Sequence, residues 1–130
     1  MDPEAVRDVF RKVGPVGIRR MFGGQGIYRG ETMFALVAGG ELYLKADGET
    51  AEMFRSLGSR PFTFERRDGR VMTTSYWLMP ESALDDPDEA AGLAALALQA
   101  ALRASASRAR KSVKAPPRRK TRNPVPEAAT

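Results

Sequence analysis

Glycine-containing breaks recur between residues 18 and 46 of this 130-residue chain, and they constrain its fold more than any other feature. They separate four short apolar and aromatic segments, at 18–22, 26–29, 32–38 and 42–46. The breaks are Gly23-Gly24-Gln25, Arg29-Gly30-Glu31 and Gly39-Gly40-Glu41. Because glycine supplies the positive φ that hairpin turns require, the pattern predicts an antiparallel meander of short strands.

Helical patterns lie on both sides of these segments. Asp2-Pro3-Glu4 has the order of a helix cap, a first-turn proline and a first-turn acid, and apolar residues follow at helical spacing as far as Gly14-Pro15. A second, short helix is predicted from Asp47 to about Leu57, with Met53, Phe54 and Leu57 facing inward.

The rest of the predicted domain is a hairpin and a last helix. The hairpin covers 61–65 and 71–79 around Asp68-Gly69. Asp86-Pro87-Asp88-Glu89 has the layout of a capping box, and it opens an Ala- and Leu-rich helix predicted to end at about Ser107. The element order is helix, meander, helix, hairpin, helix, so the predicted fold is α+β, two-layered, with a mainly antiparallel sheet of five to six strands.

The chain contains no Cys and no His, which excludes several classes of enzyme. Without these side chains there can be no Ser/His or Cys/His nucleophile, no thiolate or His-ligated metal site and no zinc deaminase site. The one carboxylate cluster, over residues 85–89, is better explained by helix capping than by metal binding. Lys45, alone in an apolar strand, is either a base with a lowered pKa or, more often, a residue of the solvent face. We therefore predict no catalytic residue, no metal and no cofactor.

Positive charge is concentrated at the C-terminal end. Residues 108–130 hold eight basic residues against one acid, a net charge of +7, whereas 1–107 hold 13 basic and 15 acidic residues, a net charge of −2. The basic residues are Arg108, Arg110, Lys111, Lys114, Arg118, Arg119, Lys120 and Arg122. The segment has four prolines and no aromatic residue, so we predict a domain over 1–107 and a disordered basic tail over 108–130. Such a tail binds DNA through its phosphates without reading sequence, or it only increases solubility.

Two further groups of residues are candidates for a site. Gly23, Gly24 and Gly26 do not have the spacing of a dinucleotide or P-loop motif, so they predict a tight turn or close backbone packing rather than a phosphate cradle. Tyr76 and Trp77 are adjacent in a predicted strand and must point to opposite faces. At least one of them then lies against a helix or is partly exposed, which indicates a surface for a partner protein or a second copy.

Taken together and in order, several segments resemble the N-terminal domain of the TfoX/Sxy family of bacterial competence regulators. They lie between about residues 4 and 105 and include Arg20-Met21-Phe22-Gly23-Gly24, Gly26-Ile27-Tyr28, Met33-Phe34-Ala35-Leu36-Val37, Leu42-Tyr43-Leu44-Lys45-Ala46-Asp47, Pro61-Phe62, Ser75-Tyr76-Trp77 and Pro80-Glu81. The resemblance implies a curved antiparallel sheet backed by helices. It also implies transcriptional co-regulation through protein contacts, which in well-known members are made with the cyclic-AMP receptor protein. Longer members continue into a helical C-terminal domain, where this chain has its basic tail.

We therefore expect a cytoplasmic, non-enzymatic accessory transcription regulator or adaptor. Its domain contacts a protein partner while its tail adds non-specific affinity for DNA, with no role for a membrane. The alternative is a module that binds a small ligand or a protein and has no nucleic-acid role. A convergent polar pocket around Tyr28, Lys45 and Tyr76 favours the ligand. A flat apolar patch that includes Tyr76 or Trp77 favours the adaptor, or a homodimer.

Overall fold

The computed structural model describes residues 1–21 and 23–114 and contains four helices and six strands. The helices are α1 (Pro3–Val9), α2 (Ala51–Ser56), α3 (Glu81–Leu84) and α4 (Pro87–Lys114). The strands are β1 (Gly17–Met21), β2 (Gly24–Arg29), β3 (Thr32–Ala38), β4 (Glu41–Lys45), β5 (Pro61–Glu65) and β6 (Val71–Leu78). The predicted α+β fold and its order of elements are confirmed. The sequence did not indicate the short helix α3.

The six strands form one antiparallel sheet in the order β1-β2-β3-β4-β6-β5. The meander of β1 to β4 follows the glycine breaks, and the β5–β6 hairpin is added beside β4. Each of the four helices contributes to one core cluster, together with residues of one sheet face such as Ile27, Val37, Leu44 and Trp77. We call the opposite face, which carries Tyr43, Lys45 and Tyr76, the open face, because these residues are not part of the core cluster.

A β-bulge in β3 lets two neighbouring side chains, Phe34 and Ala35, both point into the core. Ile27 pairs with Ala35 and Tyr28 with Met33, so Phe34 is an extra residue in β3. A bulge lets two successive residues face the same side, and both Phe34 and Ala35 are fully buried. The ring of Phe34 meets that of Phe10, just after α1, edge to face at 5.3 Å.

The predicted helix starts at Asp2 and Asp86 are confirmed by their caps, whereas the predicted start at Asp47 is wrong, because α2 begins at Ala51 after Thr50. A side-chain oxygen of Asp2 accepts a hydrogen bond from the Ala5 backbone N–H at 2.8 Å. Asp86 Oδ1 accepts in the same way from the backbone N–H groups of Asp88 and Glu89. These bonds satisfy donors that have no partner inside the helix. Leu57, expected to face inward, is 52% exposed, because α2 ends at Ser56 and Leu57 follows as its C-cap.

Helix α4 packs on β3 and β4 through small side chains and then continues past the sheet. Its buried residues include Ala90, Ala94, Ala97 and Ala101, whose short side chains let the helix lie close to the strands. Leu102 is already 54% exposed, and the helix runs on to Lys114. The predicted end at about Ser107 is therefore wrong. The start of the segment expected to be disordered, 108–114, is helical.

Candidate functional site

Each of the three glycines at the start of β2 has its own structural reason. Gly23 has a φ of +77°, which side chains larger than hydrogen rarely adopt. A Cβ on Gly24 would lie 2.2 Å from the Val37 carbonyl oxygen. A Cβ on Gly26 would lie 2.9 Å from Met21 Cε and 3.2 Å from Met33 Sδ. Two of the three glycines, Gly24 and Gly26, thus lie inside β2 and not in the turn.

Beside this turn is an open cleft of about 560 Å³, lined by Arg20, the glycines of two turns and Gln25. Gln25 Nε2 donates to the Met1 carbonyl oxygen at 2.7 Å, and its buried Oε1 has no hydrogen-bond partner among the described residues. A single unpaired acceptor in an open cleft does not define a ligand.

Tyr76 and Trp77 face opposite sides of the sheet. Trp77 is only 8% exposed, since it stacks on Phe54 of α2 with 6.4 Å between ring centroids and lies under the Arg55 guanidinium. Trp77 is thus a core residue, and its expected place in a partner surface is corrected. Tyr76 is half-buried on the open face, where it remains a candidate for contact with a partner.

Tyr76 belongs to a group of aromatic and basic side chains on the open face. It pairs across the strands with Lys45, whose Nζ lies 5.2 Å from the Tyr76 ring centroid and donates to Ser75 Oγ at 2.6 Å. The guanidinium of Arg19 on β1 lies 4.6 Å from the ring centroid of Tyr28 on β2. Cations stack on aromatic rings in this way because the ring face carries negative charge.

Burial and nearby charges shift the pKa values of Tyr76 and Lys45. Burial raises the pKa of Tyr76 and the nearby Tyr28 raises it further, whereas Arg108 lowers it. Burial is also the main reason that the pKa of Lys45 is lowered, and the positive charge of Arg108 lowers it further, against a smaller opposite effect of Asp47. Lys45 and Tyr76 thus lie side by side, and Tyr28 and Arg108 are near enough to influence their pKa values.

Helix α4 is held at this end of the sheet by Arg103. Its Nε donates to Asp47 Oδ2 at 2.6 Å and its second guanidinium nitrogen, Nη2, to Asp47 Oδ1 at 3.2 Å, while Glu49 lies 3.1 Å away. The hydrogen bond from Arg103 is the main reason that the pKa of Asp47 is lowered, and the same bond raises the pKa of Arg103. This pair joins positions 56 residues apart, which no local sequence pattern indicates.

The predicted DNA-contacting residues divide into two groups. Arg108 is exposed, and Arg110, Lys111 and Lys114 fall on the last turns of α4. Arg118, Arg119, Lys120 and Arg122 lie outside the described residues. In the described part of the chain, no group of three His, Cys, Asp or Glu side chains is placed to hold a metal ion, and no helix is long and apolar enough to cross a membrane.

Comparison with known proteins agrees with the resemblance seen in the sequence. The model of the TfoX N-terminal domain family matches residues 8–101. The DNA transformation protein TfoX1 of Aliivibrio fischeri is 34% identical over 71 residues, and the DNA transformation protein TfoX of Haemophilus influenzae is 33% identical over 73 residues. Each match covers 55% of this chain and 34% of the relative, so the chain spans about a third of the length of the curated relatives it matches.

Proposed function

The chain belongs to the TfoX N-terminal domain family, and from this premise we propose that it is an accessory regulator that holds DNA through the end of α4 while its domain contacts a protein of the transcription machinery. We propose no catalytic role, and a cytoplasmic location follows from a role on DNA. The observation that carries the proposal is the unbroken course of α4 from its packed segment to Lys114.

A continuous helix fixes where the first basic residues stand relative to the domain. Its 28 residues extend about 42 Å, and Arg103 fastens it to Asp47 close to the point where it leaves the sheet. Arg108, Arg110, Lys111 and Lys114 follow within three turns. Cations on a rigid helix can contact phosphates with little loss of conformational freedom, which supports a DNA role over a merely solubilising one.

The names of the relatives support a place in DNA uptake. Both are called DNA transformation proteins, and this chain matches about a third of the length of each. For this chain we propose a role in the regulation of genes for DNA transformation. In this role a protein partner determines which promoter is bound, because contacts to phosphates do not read the base sequence.

Fluorescence anisotropy on a labelled duplex tests the DNA role with the full chain. Substitution of Arg110, Lys111 and Lys114 by Gln is expected to weaken duplex binding about tenfold or more at 100 mM salt, because fewer counterions are released from the DNA when fewer phosphates are contacted. The matched control replaces Arg7, Arg11 and Arg20 by Gln, which are exposed residues of the N-terminal part and give the same change in charge. Equal weakening in both variants would show that only net charge matters, and no weakening in either would contradict the DNA role.

The partner role needs a test in cells. In the organism that encodes the chain, deletion of the gene is expected to lower transcripts of DNA-uptake genes, and the wild-type gene is expected to restore them. Tyr76→Ser, which changes the half-buried tyrosine of the open face, is expected to restore them poorly while the purified variant stays folded and monomeric. Full restoration by Tyr76→Ser would remove this residue from the partner surface, and a wild-type dimer that Tyr76→Ser dissociates would identify the partner as a second copy.

A second function, binding of a small ligand, is favoured by one observation. Lys45 and Tyr76, two of the three residues predicted to line a polar ligand pocket, are in contact on the open face, and Tyr28 is near enough to raise the pKa of Tyr76. The two functions are compatible, because a ligand there would not compete with DNA contacts made by the end of α4.

A further inference from the structure

The cations at the end of β4 outnumber the acids that could neutralise them. Arg108 is near enough to Lys45 for its positive charge to lower the pKa of Lys45. Asp47, which partly offsets the lowered pKa of Lys45, accepts two hydrogen bonds from Arg103, and Glu49 pairs with the same guanidinium. Lys45 itself is half-buried, where a charge is less well solvated than in water. Two like charges in such a place are stabilised by an anion that binds between them.

The donors at this point suit an oxyanion. Lys45 Nζ has three N–H bonds and gives one to Ser75 Oγ, so two remain for a ligand. Ser75 accepts from Lys45 and keeps its own hydroxyl proton to donate. The half-buried Tyr76 ring packs beside Lys45 and limits where the ammonium group can move. The group therefore offers fixed donors of two kinds, a charged ammonium and a neutral hydroxyl.

We propose that Lys45 and Ser75, with Tyr76 beside Lys45, form a binding site for a single phosphate group where β4 ends. In this deepening of the proposed function, the site lies where α4 leaves the sheet, so a phosphate held there continues the line of cations on the helix. The phosphate belongs either to a DNA backbone or to a free nucleotide, and the test separates these two sources.

The first measurement is an amide NMR titration of the full chain with inorganic phosphate at pH 7 and constant ionic strength, balanced with chloride. Saturable shifts are expected for the amides of 44–47 and 74–77. Lys45→Gln is expected to weaken the binding at least tenfold, and Ser75→Ala several-fold. Lys12→Gln is the control, because Lys12 is exposed and pairs with Asp88 at 2.9 Å on another part of the molecule. Ser75→Ala changes an exposed residue and keeps the test decisive if Lys45→Gln folds poorly.

The site does not exist if the shifts follow chloride as they follow phosphate, which would mean an adventitious ion only, or if both variants titrate like the wild type. The source is then resolved with a duplex and with a deoxynucleoside monophosphate. A DNA phosphate predicts that Lys45→Gln reduces the salt slope of duplex binding by about 0.9. A free nucleotide predicts saturation by the monophosphate and an unchanged slope.

The proposed function fails separately. The Gln variant of Arg110, Lys111 and Lys114 leaves every residue of the phosphate site in place. If this variant loses duplex binding but still binds inorganic phosphate, the loss is due to the basic residues of α4 and not to the phosphate site. If wild-type protein does not bind duplex but still binds phosphate at Lys45, the DNA role is wrong and the phosphate site stands.

Discussion

Replacing Gly24 by Ala is expected to destabilise the protein because β2 and β3 leave no space for a side chain there. The new Cβ would lie 2.2 Å from the Val37 carbonyl oxygen and 3.6 Å from Ala38 Cα. Both contacts are with backbone, so a rotamer change cannot relieve them and the two strands must move apart by about 1 Å. Overpacking that moves backbone costs about 3 kcal/mol, and the smaller entropy of the unfolded alanine chain returns about 0.4–1 kcal/mol. The expected net loss is about 2–3 kcal/mol, or about 10 °C in Tm.

Urea unfolding followed by the fluorescence of Trp77, the one tryptophan in the chain, measures this loss directly. Gly92→Ala is the control, since Gly92 lies in α4 with open space around the position of a Cβ. That substitution is expected to stabilise the protein by about 0.5–1 kcal/mol, because alanine favours helix over glycine. A loss below about 0.5 kcal/mol for Gly24→Ala would refute the close approach of β3 to Gly24, and an equal loss for Gly92→Ala would show that any added methyl group is harmful.

Two further predictions concern the anchor of α4 and the two faces of β6. Arg103→Gln is expected to lower the free energy of unfolding only slightly at pH 7, because both partners of the Asp47 pair are partly exposed and screened by water. Because the pKa of Asp47 is lowered in the folded protein, the stabilisation by this pair is present above about pH 4 and is lost as the pH falls through the folded pKa. The free energies of unfolding of wild type and variant are therefore expected to converge at acid pH. A difference that stays constant with pH would contradict the stabilising role of Asp47. Trp77→Ala is expected to cost about 3–5 kcal/mol by leaving a cavity against Phe54, whereas Tyr76→Phe should cost less than about 1 kcal/mol; similar losses would mean that both residues are core.

The parts of the fold that local chemistry decides could be predicted from the sequence. Gly30 and Gly39-Gly40 mark the turns of the meander with positive φ, and the carboxylates of Asp2 and Asp86 mark two helix starts. Alternation along a strand placed Tyr76 and Trp77 on opposite faces, but only the packing of α2 decides which face is buried.

Long-range contacts had no such signal. Arg103 finds Asp47 across 56 positions, and Ser75 becomes a candidate only because Lys45 on another strand reaches it. The end of α4 is different, because a signal existed. Between Ser107 and Pro116 there is no glycine or proline, and Arg, Lys and Ala are good helix formers. The position of the first helix breaker therefore predicts the end of α4 better than the change in composition does.

The salt dependence of duplex binding by the full chain tests most directly whether the basic C-terminal residues contact DNA phosphates. Anisotropy between 50 and 300 mM salt gives the slope of log Kobs against log salt concentration. If most of the eight cations bind phosphates, the slope is expected to be about −5 to −7, and the Gln variant of Arg110, Lys111 and Lys114 should be shallower by about 2–3. A wild-type slope near zero, or no binding at 50 mM salt, would contradict the account.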